Sequence, residues 1–451
     1  MKWVLTVKNF GKIKEAVIHD SSLRFIVGDN NSGKSYLMTL LWGMGKVSIY
    51  FYKDWLNLNL IEPHIDLSSW LNEEQYNQVY GGGKIECSFL DYEAVINRFI
   101  KIYLNTYKND FAASLFNFKD IKINNLSMQF NFDKNDKFLI YYEKETDCLV
   151  FKVNSREQKF NRTSYNDISI KLKKIFFLEV IISTLLESIF VGNNLMKMVY
   201  LPAARTGFML TKDIINRAGR ENTFGHEKKH YEPFTAPIMD FLDIMETIQY
   251  DIKLDNEYEK ICDLIENKML QGKLFINDIF NKTINFIPDT TGELLPLRTT
   301  SAVVTEISPL YLLLKNKQVF FKTKSIYYEE PEMCLHPQLQ QIMARVLIGL
   351  VNANVNLTVT THSDIIIQHI NNMIRLNNNG KRDELMQKHG YESWDLLKSS
   401  DISMYQFKKN DDGTTTLEEL KCGKYGFAVP TFNDALDKIL EEVYDLQGDE
   451  E

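Results

Sequence analysis

Eight consecutive residues, Gly28-Asp29-Asn30-Asn31-Ser32-Gly33-Lys34-Ser35, fit the pattern GxxxxGK[ST]. Gly28 and Gly33 let the backbone wrap a phosphate chain closely, so that the N–H groups of Asn30, Asn31, Ser32 and their neighbours can bond its oxygens. Lys34 is placed to reach the terminal phosphates, and the Ser35 hydroxyl is placed to ligate Mg²⁺. A second cluster, Glu329-Glu330-Pro331-Glu332, closes the apolar run Ser325-Ile326-Tyr327-Tyr328. Carboxylates at a strand end can hold Mg²⁺ and activate an attacking water. Glu329 is expected on the magnesium side and Glu330 as the general base. A third run, Leu357-Thr358-Val359-Thr360, ends in Thr361-His362-Ser363, where His362 can donate to a terminal phosphate and report its presence.

A fourth pattern is weaker. His226-Glu227-Lys228-Lys229-His230 formally matches the HExxH zinc motif, but Gly225 and Pro233 flank it and two lysines sit inside it. Without an obvious third ligand it reads as a solvated helix end or loop.

The three stations need strands to carry them. Leu23–Val27 is a β-rich run ending at Gly28, after a strand pair turned at Asn9-Phe10-Gly11. Strand-like runs recur at 84–89, 126–132, 138–142 and 148–153, residues 165–192 are helical by period, and 199–201 form a strand closed by Pro202. Residues 209–272 read as mostly helical, followed by a hairpin from Thr283–Ile287 to Leu294–Leu297. The last third alternates strand and helix, which predicts a parallel sheet covered by helices. A final hairpin joins 403–408 to 414–420 and precedes an amphipathic helix from Phe432; the six acids of 441–451 predict a frayed end. The expected units are 1–160, the N-terminal head with the phosphate loop and an antiparallel β part; 161–275, a mainly helical insertion; 276–375, the C-terminal head; and 376–451, the hairpin and helix.

The whole composition is that of an ordinary folded protein: 451 residues, 44% hydrophobic and 25% charged. Disorder, collagen-like repeats and a disulfide scaffold are excluded. The net charge of −8 gives no overall basic field for nucleic acid, although a local basic groove stays open. Five scattered cysteines without a CxxC pair suit a reduced cytosol. No apolar signal core follows Met1, and the greasiest run, 175–191, carries Glu179 and Glu187, so a buried helix and not a membrane span is expected.

The three stations in this order resemble an ABC-type ATPase head of the SMC and OLD lineage, and are most similar to the OLD-like, AAA-15 and AAA-21 ATPases. The carrying residues are Val7-Lys8-Asn9-Phe10-Gly11, the loop from Gly28 to Ser35, Glu329 to Glu332 followed by Leu335-His336-Pro337, and Thr361-His362-Ser363. The resemblance implies an α/β ABC-ATPase head with a mixed sheet, a partly β, partly helical insertion with a short arm, and ATP with Mg²⁺ as cofactors. It further implies a head-to-head homo-oligomer in which a Ser-Gly signature completes the partner's nucleotide site. Ser301 matches that serine, while Ala302 stands where glycine is usual, which implies slower turnover. Pro202-Ala203-Ala204-Arg205 resembles a strand-end Pro-x-x-Arg of these ATPases, implying that Arg205 faces nucleotide or partner; an ordinary surface arginine is the alternative. No residue is assigned as a glutamine lid, Gln129 being a guess only.

The interval from Lys34 to Glu330 lacks the sustained heptads of long SMC arms, and no Asp-x-Asp pair of a Toprim nuclease occurs in the chain. Similar stand-alone ATPases belong to bacterial anti-phage systems of the PARIS, Septu and retron-associated kinds, PARIS being the best match by architecture. This implies an ATP-hydrolysing sensor that holds and releases a separate, Toprim-like effector on a phage-encoded trigger. The rival readings are a RecF-like DNA clamp, a transporter nucleotide-binding subunit and a stand-alone nuclease.

Overall fold

The computed structural model describes residues 1–46, 67–161, 170–191, 197–211, 234–248, 258–277, 283–316 and 323–447. Strands β1 (Lys2–Phe10) and β2 (Ile13–His19) form an antiparallel hairpin, and β3 (Leu23–Val27) leads into helix α1 (Lys34–Met44). The turn between β1 and β2 holds Asn9 and Gly11 at φ 50° and 57°, the left-handed region that Asn and Gly tolerate best. Next come α2 (Glu73–Tyr80), β4 (Lys84–Ser88), α3 (Glu93–Phe116), β5 (Ile123–Asn131), β6 (Lys137–Glu143), β7 (Cys148–Val153) and β8 (Arg156–Asn161). The 24-residue α3 fills the interval between the strand runs at 84–89 and 126–132, for which no element was expected. Helix α4 (Ile170–Leu186) runs into a π turn and is followed by β9 (Lys197–Leu201), α5 (Ala236–Thr247) and α6 (Glu259–Leu264). Then β10 (Gly272–Asn277), β11 (Thr283–Pro288) and β12 (Leu295–Pro296) form a small antiparallel sheet. The remaining elements are α7 (Ala302–Lys315), β13 (Thr323–Glu329), α8 (Pro337–Asn352), β14 (Asn356–Thr360), α9 (Asp364–Asn377), α10 (Arg382–His389), β15 (Ile402–Lys409), β16 (Thr415–Leu420) and α11 (Pro430–Gln447).

One nine-stranded sheet organises the site, in the order β5-β1-β2-β16-β15-β3-β14-β13-β9. Its half from β15 to β9 is wholly parallel, and β5, β1 and β2 form an antiparallel wing. All four stretches anticipated as units contribute strands to it. A parallel sheet must be covered on both faces, and here one apolar layer contains α1, α3 and α4 and the other α5, α7, α8 and α9. Every residue of β3 is buried, with Ile26 in the first layer and Leu23, Phe25 and Val27 in the second, as strand alternation requires. The sheet β4-β6-β7-β8 adds an antiparallel lobe packed on α4.

The acidic C-terminal stretch differs from expectation, because α11 continues to Gln447 and does not fray at 441. Among the described residues, no helix is long and apolar enough to cross a membrane.

Candidate functional site

Parallel strands deliver their C-terminal ends to one edge of a sheet, and loops at that edge can converge on a ligand. Here β3, β13 and β14 are neighbours, and they end respectively in the phosphate loop, the acidic cluster and the Thr-His-Ser segment. The loop conformation needs its glycines. Gly28 and Gly33 have φ of 145° and 108°, and a Cβ on either would lie 2.9 Å from Phe407 Cβ or 2.8 Å from Ile13 Cγ1. Asn31 also sits in the left-handed region, at φ 59°. Asn30 and Asn31 are exposed, whereas Ser32 is buried, with its hydroxyl unpartnered and its carbonyl accepting from the Thr415 hydroxyl at 2.7 Å. The β15–β16 hairpin therefore supports the loop from behind.

Lys34 opens α1 and folds back over the loop, its Nζ donating to the carbonyls of Gly28 (2.9 Å) and Asp29 (2.8 Å). Burial lowers its pKa, opposed by the negative charges of Glu330, Asp29, Glu329 and Glu332. Ser35, the next residue, is exposed beside Glu329.

Each acid of the cluster has a different environment. Glu329, at the end of β13 in register with Thr360, is buried and accepts from the Ala203 N–H at 3.3 Å. Burial raises its pKa, while bonds from Ser35, Ala203 and Tyr200 favour the charged form. Its Oε1 is buried without a hydrogen-bond partner. Glu330 is half-buried and held at φ 44°, an uncommon conformation for a residue with a side chain. Its N–H donates to the Thr360 carbonyl at 2.9 Å, and its Oε1 lies 3.8 Å from His362 Nε2. Glu332 accepts the His362 N–H at 2.5 Å, and burial raises its pKa. The pKa of His362 is lowered by burial and by the charge of Lys34. Lys34, Ser35, Glu329, Glu330 and His362 thus stand at one edge, where β3, β13 and β14 end side by side.

Magnesium in phosphate sites usually takes one or two protein ligands and completes its shell with water and phosphate oxygens. Ser35 and Glu329 fit that requirement, since a hydroxyl stands beside a carboxylate that has one unpartnered oxygen. Among the described residues, no group of three or more His, Cys, Asp or Glu could hold a metal by itself.

Ser301 lies outside this cluster in sequence and caps α7, its hydroxyl accepting from the Val304 N–H; both Ser301 and Ala302 are exposed. Arg205 corrects the expectation. Its side chain is wholly buried, so it faces no solvent, and it donates to the carbonyls of Pro202 (2.7 Å), Glu329 (2.6 Å) and Glu330 (3.0 Å). Gln129 also fails as a lid: it is exposed on β5, the edge strand five places from β3. The HExxH residues His226, Glu227 and His230 lie outside the described residues. Sequence reasoning missed Tyr200, which is buried beside the Glu329 carboxylate, and it placed Glu306 only in the stretch that follows Ser301, not as the ion-pair partner of Arg205. Tyr200 lies far from the cluster in sequence and matches no short motif.

A phosphate loop between a buried parallel strand and a helix, beside an acidic strand end, defines a P-loop nucleotide-binding core. The chain belongs to the AAA ATPase domain family, whose AAA_15 model matches residues 1–367, and it is an ATPase. No curated protein sequence matches it. Among solved structures, it is similar to an SMC head bound to the C-winged helix domain of ScpA (11% identity, 93% of this chain and 98% of that chain covered, TM-score 0.35). It is also similar to the SMC head domain from Thermotoga maritima (13% identity, 93% and 98% covered, TM-score 0.30). A third is the Pyrococcus furiosus Smc head with an extended coiled coil, bound to the C-terminal domain of ScpA (12% identity, 98% and 100% covered, TM-score 0.36).

Proposed function

We propose that the protein is an ATP-binding and ATP-hydrolysing sensor of anti-phage defence that holds a separate toxic effector and releases it on a phage signal. The observation that carries the nucleotide chemistry is the convergence of Lys34, Ser35, Glu329, Glu330 and His362 at the ends of β3, β13 and β14. In this reading Gly28, Asn30, Asn31, Ser32 and Gly33 present backbone N–H groups to the phosphates, and Lys34 leaves the carbonyls of Gly28 and Asp29 to neutralise them. Ser35 and Glu329 would hold Mg²⁺, which screens phosphate charge when bound. Glu330 takes the proton of the attacking water, and His362 donates to the terminal phosphate. Ser301 of a second copy completes the site, so two heads close on ATP. The stretches 1–160, 276–375 and 376–451 supply most of the head, and 161–275, read as an insertion, also lends it the edge strand β9.

The defence role rests on architecture: a head without long heptad arms and without the Asp-x-Asp pair of a Toprim nuclease leaves effector chemistry to another chain. PARIS, whose effector is a separate Toprim-like nuclease, is the system this design fits best. The DNA-clamp reading would need a basic head face, and the net charge of −8 opposes it.

The test is a pure preparation assayed for ATP turnover, ATP-dependent self-association and cleavage of plasmid with Mg²⁺ or Mn²⁺. ATP turnover and association without cleavage are expected. Robust metal-dependent cleavage would overturn the separate-effector reading, and association indifferent to ATP would overturn the paired-head reading.

A further inference from the structure

Arg205 and Glu306 are both wholly buried, and Arg205 Nη2 lies 2.7 Å from Glu306 Oε1. Taking two charges out of water is costly unless nearly all their donors and acceptors find partners. Here the fork of the guanidinium is spread over separate pieces of chain. One nitrogen, Nη1, serves the carbonyls of Pro202 and Glu329; Nη2 serves the Glu330 carbonyl; and Nε serves the Glu306 carbonyl at 3.3 Å. The guanidinium also lies over the Tyr328 ring, 4.7 Å from its centroid. Glu306 Oε2 accepts from the Thr206 N–H (2.8 Å) and hydroxyl (2.6 Å), while Oε1 is held by the ion pair alone, without a hydrogen bond.

The consequence concerns Glu330. At φ 44° its backbone is in a conformation that persists only when the surroundings fix it. Its N–H is fixed by Thr360 and its carbonyl by Arg205. Arg205 in turn is locked to Glu306, which lies on α7, the helix that Ser301 caps. A single buried ion pair therefore joins the N-terminal part of α7 to the backbone of the strand end that carries the acids.

We infer that Arg205 is a positioning residue: together with Glu306 it sets the direction of the Glu330 carboxylate and ties it to the placement of α7. This rests on the reading of Glu330 as the general base and extends it to how seating Ser301 against a second copy would be felt at the water-activating acid.

The test replaces the pair by Arg205→Met with Glu306→Met. This removes both charges together, a change that buried pairs often tolerate, whereas deleting one partner strands the other. Thermal melting reports folding, a fluorescent ATP analogue reports affinity, and steady-state assays give kcat and KM. A misplacement of about 1 Å near reacting atoms can cost ~10²-fold in rate, so kcat should fall by about that factor with KM and affinity held within about threefold. Arg205→Lys keeps the buried charge but cannot span the separate carbonyls, and it should fall similarly; it carries the test if the double variant melts early. A folded variant with wild-type kcat would overturn the inference, and so would a raised KM at unchanged kcat, which would place Arg205 on nucleotide. Glu330→Gln is measured alongside. If Glu330→Gln itself leaves kcat unchanged, the general-base reading has failed; if it lowers kcat and the Arg205 variants do not, the positioning inference has failed.

Discussion

Replacing Glu330 by glutamine separates chemistry from binding at this site. The backbone anchors of residue 330, Thr360 on one side and Arg205 on the other, hold main-chain atoms, so they are indifferent to the substitution. Glutamine keeps the size and one acceptor oxygen but cannot take a proton from water. A general base contributes ~10²–10⁴-fold in rate, which is ~2.7–5.5 kcal/mol of barrier. Binding should respond differently. The bonds from Lys34 Nζ run to Gly28 and Asp29, and the loop N–H groups are backbone, so none is lost with the carboxylate. The variant also removes the largest anionic influence on Lys34, and an anion less beside a polyphosphate weakens repulsion. Affinity should therefore hold or tighten, within about tenfold or ~1.4 kcal/mol. Nucleotide titration beside steady-state ATPase assays measures both, and the ATP-bound, paired state should accumulate. Turnover within tenfold of wild type would refute this reasoning and send the search for the base to Glu329 or Glu332.

Three further outcomes follow from the same geometry. Glu329→Gln removes the carboxylate beside Ser35, so Mg²⁺-dependent nucleotide affinity and turnover should both fall, as titrations with and without Mg²⁺ would register; affinity unchanged with Mg²⁺ would rule this role out. Ser301→Arg, on an exposed helix cap, should leave nucleotide binding nearly intact in single heads and abolish turnover, and equal loss of both would count against a site completed by a second copy. His369, buried on α9 with its pKa lowered from 6.5 to about 4 by burial and by Arg345, binds fewer protons folded than unfolded. Its contribution is thus present above pH 6.5 and lost as pH falls toward 4, by about 3 kcal/mol in all. His369→Phe keeps a ring against Tyr391 but cannot charge, so its denaturant midpoint should fall less than wild type's between pH 7 and 4.5; parallel curves would contradict it.

What could be read from the sequence follows the range of the interactions involved. The phosphate loop is local: eight residues, two glycines with positive φ and a helix start carry the whole signal. Glu329, Glu330 and His362 are also legible, because each ends a short apolar strand. Helix α3 was within reach but missed: Val95, Ile96, Phe99, Ile100, Tyr103, Leu104 and Tyr107 recur with the helical period, and all are buried. The role of Arg205 was beyond reach. Its partners include Glu306 and the carbonyls of Glu329 and Glu330, more than a hundred residues away, and one sequence holds no sign of a contact made by folding.

The same distinction explains why the loop depends on the far end of the chain. The hairpin of β15 and β16 is readable as a hairpin, from two alternating runs around Asn410-Asp411-Asp412-Gly413, but nothing local says where it inserts. The structure places β15 directly beside β3, with Gln406 in register with Val27, so that Phe407 abuts Gly28 and Thr415 bonds the Ser32 carbonyl. The conformation of the phosphate loop is thereby fixed from two sides: α1 and Lys34 within the motif, and a strand that folds only after some 370 residues have been laid down. Without β15 and β16 the loop would lose the Thr415 bond to Ser32 and the Phe407 side chain that backs Gly28. The conformation of the loop thus rests on the intact sheet and not on the eight-residue motif by itself.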